Sequence, residues 1–241
     1  MSESDVKPSK ILVSEGPVED VAVFGAPGSV EGFHGDVRPG RQPTLAITQR
    51  VGQNAKDFKP GQLLYNREKT LPAPLSLSFF GIHCWYQPNA AYDPNQKQPA
   101  ITYETALEVE RAGGNLRRGV TPGSDPHNFV SVARALVVLE SPVKKGWGSD
   151  IDLAMPFEEK TLLIPCAWFL RGIGFSRVVE PLRITSARLS NDKLPMIKAR
   201  WTLEVADLQI NGNWVFVPIL SKQDKQNNDD YCALSRKLFG A

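Results

Sequence analysis

Long hydrophobic runs are absent from this chain of 241 residues. No stretch of it approaches the 18 or more consecutive apolar residues that a membrane-spanning helix needs. The N-terminus, Met-Ser-Glu-Ser-Asp, is polar and acidic, and it lacks the basic and apolar segments of a secretory signal. The sequence therefore predicts an intracellular protein that does not bind to a membrane.

Cysteine and histidine are scarce, with three of each. Cys84, Cys166 and Cys232 are odd in number and widely spaced, and the first two lie in apolar runs. This pattern favours buried free thiols in a reducing compartment over a disulfide framework. The histidines are equally far apart, so the clustered ligands of a metal site are missing. The sequence predicts neither a metal ion nor a cofactor.

Recognisable catalytic motifs are missing as well. The chain has no Gly-x-Ser-x-Gly elbow and no cysteine-protease signature. Gly25-Ala-Pro-Gly28 follows a strand candidate, but it lacks the Gly-Lys-Ser/Thr ending of a phosphate-binding loop, and no helix pattern follows it. We therefore predict that the protein is not an enzyme. A catalytic site whose residues meet only in three dimensions is the alternative.

A strong net charge is also lacking, since the formal net charge is +2. The charges are unevenly distributed along the chain. Residues 1–31 carry six acidic and two basic side chains, whereas residues 165–203 carry seven basic and two acidic ones. Such asymmetry permits a basic face, although the charges could equally be spread around a solvated surface.

Glycine and proline are plentiful, with nineteen of each, which favours many short elements joined by turns. The densest apolar and aromatic run is residues 74–87. In it Leu75, Leu77 and Phe79 alternate with serines, in the two-residue period of a strand with one buried face. Beyond Phe79 the alternation breaks, which predicts either a strand covered on both faces or a bulge at Gly81.

Further short strands and about three helices are predicted around this run. The clearest local signal is a β-hairpin, in which residues 197–205 alternate, Asn211-Gly212 forms the turn and residues 214–219 return. Helices are predicted from an N-cap at Thr102 to Gly113, over residues 175–189, where Pro181 either kinks the helix or starts a second piece, and from Asp229 onward. Other strands are predicted at residues 11–13, 21–24, 44–48, 62–65 and 161–170 and in the last half of residues 128–140, with a polar connection at 66–70.

These elements indicate a mainly β fold, a barrel or sandwich with about three peripheral helices. A barrel of the oligonucleotide-binding type, elaborated by loops, is one specific candidate. The predicted organisation is an acidic N-terminal segment with a Gly/Pro loop over residues 1–40, a β-rich core over 41–220 and a C-terminal helix over 221–241.

Aromatic side chains are interleaved with basic ones, which is the composition that single-stranded nucleic acid requires for stacking and phosphate contacts. Trp147 is the first candidate, because it lies in the polar loop Lys-Lys-Gly-Trp-Gly with little else to pack against. The alternative for each ring is a place in the core. The candidate binding residues are Trp147, Lys144, Lys145, Arg117, Arg118, Lys198, Arg200, Trp85, Tyr86 and Arg171.

The order of these segments resembles phage-encoded single-stranded DNA-binding proteins of the oligonucleotide-binding fold, over roughly residues 40–220. The segments that carry the resemblance are 58–65, the aromatic strand, 165–172, 194–196 and 212–217. The resemblance implies sequence-tolerant binding of single-stranded DNA in phage replication or recombination. It also implies possible homo-oligomers and a location in the host cytoplasm. One departure is the C-terminus, Ser-Arg-Lys-Leu-Phe-Gly-Ala, where many such proteins carry an acidic tail.

Two other classes of function are compatible with the sequence. A virion or assembly protein would bury the aromatic residues in its core and use its Gly/Pro loops for contacts between subunits. An enzyme would need a polar pocket with convergent carboxylates or histidines. Salt-dependent binding to oligonucleotides distinguishes the first prediction from both of these.

Overall fold

The structure is a computed structural model that describes residues 42–88, 101–116, 129–144, 146–210 and 212–240. These residues form two compact units. The larger unit contains the described residues up to His83 and from Ala133 onward, and the smaller contains those between Cys84 and Val132. The strands predicted at 11–13 and 21–24 lie outside the described residues. The domain boundaries at residues 40 and 220 stay predictions.

The described residues contain nine strands and three α-helices, which confirms the predicted mainly β class. The sheet curls into a half-barrel, consistent with an oligonucleotide-binding-like architecture. The strands are β1 (Thr44–Ile47), β2 (Leu63–Tyr65), β3 (Lys69–Leu71), β4 (Leu75–Pro88), β5 (Phe129–Pro142), β6 (Met155–Phe157), β7 (Thr161–Arg171), β8 (Arg200–Ile210) and β9 (Asn213–Lys222), and the helices are α1 (Ala106–Arg111), α2 (Ile173–Asn191) and α3 (Asp229–Phe239).

The sheet has the strand order β3-β2-β1-β7-β5-β4-β8-β9, with β6 paired to β7. β1 and β7 run parallel, with Leu45 opposite Trp168. β8 and β9 form the predicted hairpin, which pairs antiparallel from Ile210↔Asn213 to Trp201↔Lys222. Gly212 lies in its turn with a φ of 81°, a left-handed value that glycine adopts at little cost.

The predicted central strand is confirmed as β4, in which Leu75, Leu77 and Phe79 are buried. Gly81 and Ile82 are both buried as well, so the strand is covered on both faces where the alternation breaks. Phe79 packs edge-on against Trp201 of β8, with 6.2 Å between ring centroids. Trp201 is therefore a core residue, as the alternation of its strand predicts.

Helix α3 covers one face of the sheet. Its apolar stripe packs against side chains of β5 and β7, and Phe239 stacks on Phe80 of β4 with 4.8 Å between centroids. Asn228 caps the helix by accepting a hydrogen bond from the Tyr231 N–H at 2.8 Å. The buried residues of this cluster are Leu136, Val138, Leu163, Ala167, Ile197, Tyr231, Cys232 and Phe239.

Four local predictions need correction. The N-cap of α1 is Thr105 rather than Thr102, because Thr105 and Glu108 form a reciprocal capping box. The predicted polar connection at 66–70 contains the start of β3, since Asn66 adopts a left-handed conformation that turns the chain back. Pro181 does not start a second helix, because it lies inside one continuous helix, α2. Ile197 belongs to a short 3₁₀ helix that precedes β8.

The smaller unit contains the end of β4, α1 and the start of β5. Tyr86 and Tyr103 form an isolated antiparallel bridge with two backbone hydrogen bonds of 2.7 and 3.0 Å. The ring of Tyr103 lies 5.4 Å from that of Phe129. Gly114 lies so close to Val109 and Phe129 that a Cβ there would be within 3 Å of both side chains. The α1 segment is therefore tightly packed within its own unit.

Candidate functional site

The end of β7 carries an aromatic ring and a cation on the same surface. Leu163 and Ala167 belong to the core under α3, and the two-residue period of the strand puts Phe169 and Arg171 on that same face. The face is uncovered beyond Ala167, because Phe169 is 55% exposed and Arg171 is exposed. A ring beside a guanidinium can stack on a planar group and pair with an anion.

A second arginine lies over the exposed ring. The guanidinium carbon of Arg134, on β5, is 5.8 Å from the centroid of Phe169. Its Nη2 donates a 2.7 Å hydrogen bond to Oε1 of Gln42, which fixes the guanidinium in place. Burial lowers the pKa of Arg134, but an arginine keeps its charge at any physiological pH. The ring is therefore held against a permanent positive charge.

A cavity of about 490 Å³, which is in the size range of ligand pockets, about 300–1,000 Å³, lies at this end of β7, and the residues that line it include Phe169 and Arg171. We call this cavity the groove. The described residues that line it include two arginines, Arg67 and Arg171, and no Asp or Glu. Its walls come from β1, β7, the first turn of α2 and β9. That first turn contains no acidic residue either. The charged side chains of the described lining are therefore all basic.

Phe216 also lines the groove, and its backbone is held in place by hydrogen bonds. The side-chain amide of Gln49 donates to the Phe216 carbonyl at 2.8 Å and accepts from its N–H at 3.0 Å. The ring lies on Gly61, where an added Cβ would come within 2.8 Å of it, and the guanidinium of Arg50 is 5.3 Å from its centroid. Arg50 is also paired with Asp207 at 2.8 Å. Phe216 therefore shapes the groove, and Phe169 presents the exposed ring.

Of the predicted binding residues, Arg171 lines the groove. Lys198 and Arg200 do not line it, because each is held by a carboxylate elsewhere in the larger unit. The Nζ of Lys198 lies 2.5 Å from Oδ1 of Asp229, a hydrogen bond that raises the pKa of Lys198 and lowers the pKa of Asp229. Arg200 forms an ion pair with Glu140, whose side chain is 7% exposed. The sequence could not have identified either partner.

The Arg200–Glu140 pair belongs to a polar network under the start of α3. Arg200 lies opposite Ser78 in the sheet. Asn227 donates from Nδ2 to the Ser78 hydroxyl and to the Ile197 carbonyl, each at 2.7 Å. Burial raises the pKa of Glu140, and the charge of Arg200 partly opposes that rise. The network anchors the C-terminal segment on the sheet.

Trp147 lies in a turn that packs more tightly than the sequence predicts. The ring is half-buried, and Lys144 is exposed. A Cβ on Gly146 would lie 1.7 Å from the carbonyl oxygen of Pro142, and the N–H of Gly148 donates to the Ser141 hydroxyl at 2.9 Å. The expectation that Trp147 has little to pack against is therefore wrong. Its part in binding stays a prediction.

The remaining candidates lie elsewhere. Trp85 and Tyr86 belong to the smaller unit, where both side chains are half-buried and Nε1 of Trp85 donates to Oε1 of Gln87 at 3.1 Å. Lys145, Arg117 and Arg118 lie outside the described residues.

Sequence reasoning missed Phe169 and Arg134. For Phe169 a signal was present, because in a strand the residue two positions before an exposed arginine shares its face. Arg134 gave no such signal, since its role depends on β5 pairing beside β7 in the sheet. Trp214, which is 50% exposed near the tip of the β8–β9 hairpin, is a further ring that was not among the candidates.

No group of three or more His, Cys, Asp or Glu side chains within the described residues could hold a metal ion. Among the helices of this part of the chain, none is long and apolar enough to cross a membrane. Comparison with protein-family models, curated proteins and solved structures finds no match to the chain.

Proposed function

We propose that the protein binds single-stranded DNA with little sequence preference, and that the groove at the end of β7 is the binding site. The observation that carries the proposal is the exposed ring of Phe169, with Arg134 over it and Arg171 on the same strand face, next to a cavity whose described lining has no carboxylate. A stacking platform beside cations is what a nucleotide needs on a protein surface.

The chemistry of the two partners is complementary. A base that stacks on an aromatic side chain contributes about 1–3 kcal/mol to binding. The guanidinium of Arg171 can neutralise one backbone phosphate and release its counterion. For one such contact on a single strand, the logarithm of the binding constant falls with the logarithm of salt concentration with a slope of about −0.7.

The lining of the groove also argues for sequence tolerance. The Gln49 amide is held by two hydrogen bonds to the Phe216 backbone, which leave it one N–H and one oxygen lone pair. The other uncharged polar groups of the described lining are the Thr44 hydroxyl and the Trp168 indole N–H, so the lining offers few groups that could read a base edge. Stacking and phosphate pairing, which every nucleotide offers, therefore dominate over hydrogen bonds to particular bases.

Fluorescence anisotropy of a labelled dT oligonucleotide tests the proposal. Titrations at low and high salt, with a duplex competitor, compare the wild-type protein with Phe169→Ala and Arg171→Glu. A matched control for the charge is Lys160→Glu, because Lys160 is exposed and directly precedes the other end of β7, about 36 Å from Arg171. Ile184→Ala on α2 is a control for the ring, since Ile184 is 56% exposed.

We expect Phe169→Ala to weaken binding about tenfold. Arg171→Glu should weaken it at low salt and reduce the dependence on salt, and neither control should change the affinity more than about twofold. Wild-type protein that does not bind at low salt would rule out the proposed function. Equal losses for Lys160→Glu and Arg171→Glu would show that the effect is due to net charge and that the groove is not the site.

A further inference from the structure

The seven basic residues that the sequence concentrates between positions 165 and 203 lie in two kinds of surroundings. Three of them, Arg183, Lys198 and Arg200, form ion pairs with carboxylates. The side chains of the other four are exposed and have no hydrogen bond or ion pair with another residue in the part of the chain that the structure describes. These four are Arg171, Arg177, Arg188 and Lys193.

Two of the unpaired arginines lie on the solvent side of α2. A helix turns about 100° per residue, so Ile173, Arg177, Ile184 and Arg188 fall within about 60° of one another around its axis. We call these four residues the α2 stripe. The buried side chains of the helix lie on the opposite side, where α2 packs against β7 and β9. The α2 stripe is therefore a row of exposed side chains along the whole helix.

The α2 stripe begins in the groove. Ile173 is one of the residues that line the groove, and Arg171 directly precedes Gly172, the N-cap of the helix. The rise of 1.5 Å per residue puts Arg177 about 6 Å and Arg188 about 22 Å along the axis from Ile173. The three unpaired arginines therefore follow one line, from the end of β7 to the last turn of α2.

The charge of the α2 stripe is not cancelled by a neighbouring acid. Glu180, the one acidic residue of α2, lies at the edge of the stripe, and its carboxylate is 3.9 Å from Arg183. Position 183 is about 110° around the axis from the middle of the stripe. Ile184, between the two arginines, has neither a ring nor a charge. The row therefore has the chemistry to bind phosphates and offers no platform for a base.

We propose that the α2 stripe binds the phosphate backbone of single-stranded DNA that leaves the groove, with Arg177 and Arg188 as the contacts. The proposal rests on the proposed function, because Phe169 holds the base from which the strand continues. Phosphates of one strand repeat about every 3.4 Å when it is stacked and are farther apart when it is extended. A row of about 22 Å therefore covers at most about seven of them.

The salt dependence of binding counts the phosphate contacts. The anisotropy titration is run at several salt concentrations with a labelled dT oligonucleotide of about 15 nucleotides, which is long enough to occupy both the groove and the stripe. Arg171, Arg177 and Arg188 together give a slope of about −2.1, against about −0.7 for Arg171 alone. We expect Arg177→Gln and Arg188→Gln each to weaken binding and to bring the slope about 0.7 closer to zero.

Two kinds of control separate a phosphate contact from other effects. Arg183→Gln removes the same charge from an exposed position of the same helix that lies off the stripe, so it should leave the slope unchanged. Arg177→Lys and Arg188→Lys keep the charge and should keep the slope, because counterion release depends on charge. A loss that the lysine variants share would show a structural role for the arginines and would overturn the proposal.

The remaining outcomes distinguish this proposal from the proposed function. If Phe169→Ala weakens binding but Arg177→Gln and Arg188→Gln have the wild-type slope, the α2 stripe is not a binding surface and the proposed function stands. If Arg183→Gln changes the slope as much as they do, net charge is responsible and the proposal is wrong. Wild-type protein that does not bind the oligonucleotide at low salt would overturn both.

Discussion

Replacing Arg200 with methionine tests whether this residue acts in the fold or in binding. Arg200 was a candidate for phosphate contact, but in the structure its guanidinium is paired with the buried carboxylate of Glu140. Arg200→Met keeps a long side chain and removes the charge. The carboxylate of Glu140, which is 7% exposed, would then have no cation at this position.

The magnitude follows from the burial of the pair. Removing one partner of a buried ion pair costs about 3–5 kcal/mol, because the other charge is left uncompensated. The Arg200 side chain is 26% exposed, so we expect the lower end of that range, about 3 kcal/mol in the free energy of unfolding. For a protein of this size that corresponds to a fall in Tm of about 6–12 °C.

The cost should depend on pH. Burial already raises the pKa of Glu140, and Arg200 opposes this rise, so removing Arg200 raises the pKa further. The folded protein then takes up a proton at a pH where the unfolded chain does not, and its stability increases as the pH falls through that window. The loss of stability should therefore be smaller at pH 5 than at pH 8.

Urea denaturation followed by circular dichroism at pH 5 and pH 8 measures these changes. The double variant Arg200→Met/Glu140→Leu is the control, because replacing both members of a buried pair by apolar side chains is often nearly neutral. It should be more stable than Arg200→Met alone. A loss below about 1 kcal/mol, the range of exposed pairs, or the same loss at both pH values would refute the reasoning. In that case Arg200 would again be a candidate for binding.

Two further predictions concern the turn after β5 and the anchor of α3. Gly146→Ala should lower the free energy of unfolding by about 3 kcal/mol, because the added Cβ would overlap the Pro142 carbonyl oxygen. The control Gly212→Ala adds a Cβ in open space at a φ of 81° and should lower the free energy of unfolding by about 1 kcal/mol. Equal melting temperatures for the two variants would contradict this prediction. Asn227→Ala should lower the free energy of unfolding, measured by urea titration, by about 2 kcal/mol, because two buried acceptors lose their donor. The control Gln226→Ala, at an exposed neighbouring position, should change it by no more than about 0.5 kcal/mol.

Local patterns predicted the elements whose causes are local. The alternation in β4 and β8 depends on the two-residue period of a strand, so it appears in the sequence whatever the strand pairs with. The β8–β9 turn follows from Asn-Gly. At the start of α1 the predicted N-cap, Thr102, was wrong although a local signal was present. Thr105-Ala-Leu-Glu108 has the spacing of a capping box and Thr102 does not, and the structure places the cap at Thr105.

The candidate site depended on contacts between distant segments. Trp147 and Phe169 both lie in sequences that allow exposure, yet Phe169 is the more exposed ring, because the cover that α3 gives to β7 ends near Ala167. Arg200 and Lys198 are paired with carboxylates 60 and 31 positions away. The sequence by itself determined the mainly β class, the hairpin and the terminal helix. The tertiary structure decided which rings and charges remain exposed, because burial and ion pairing depend on which distant surfaces meet.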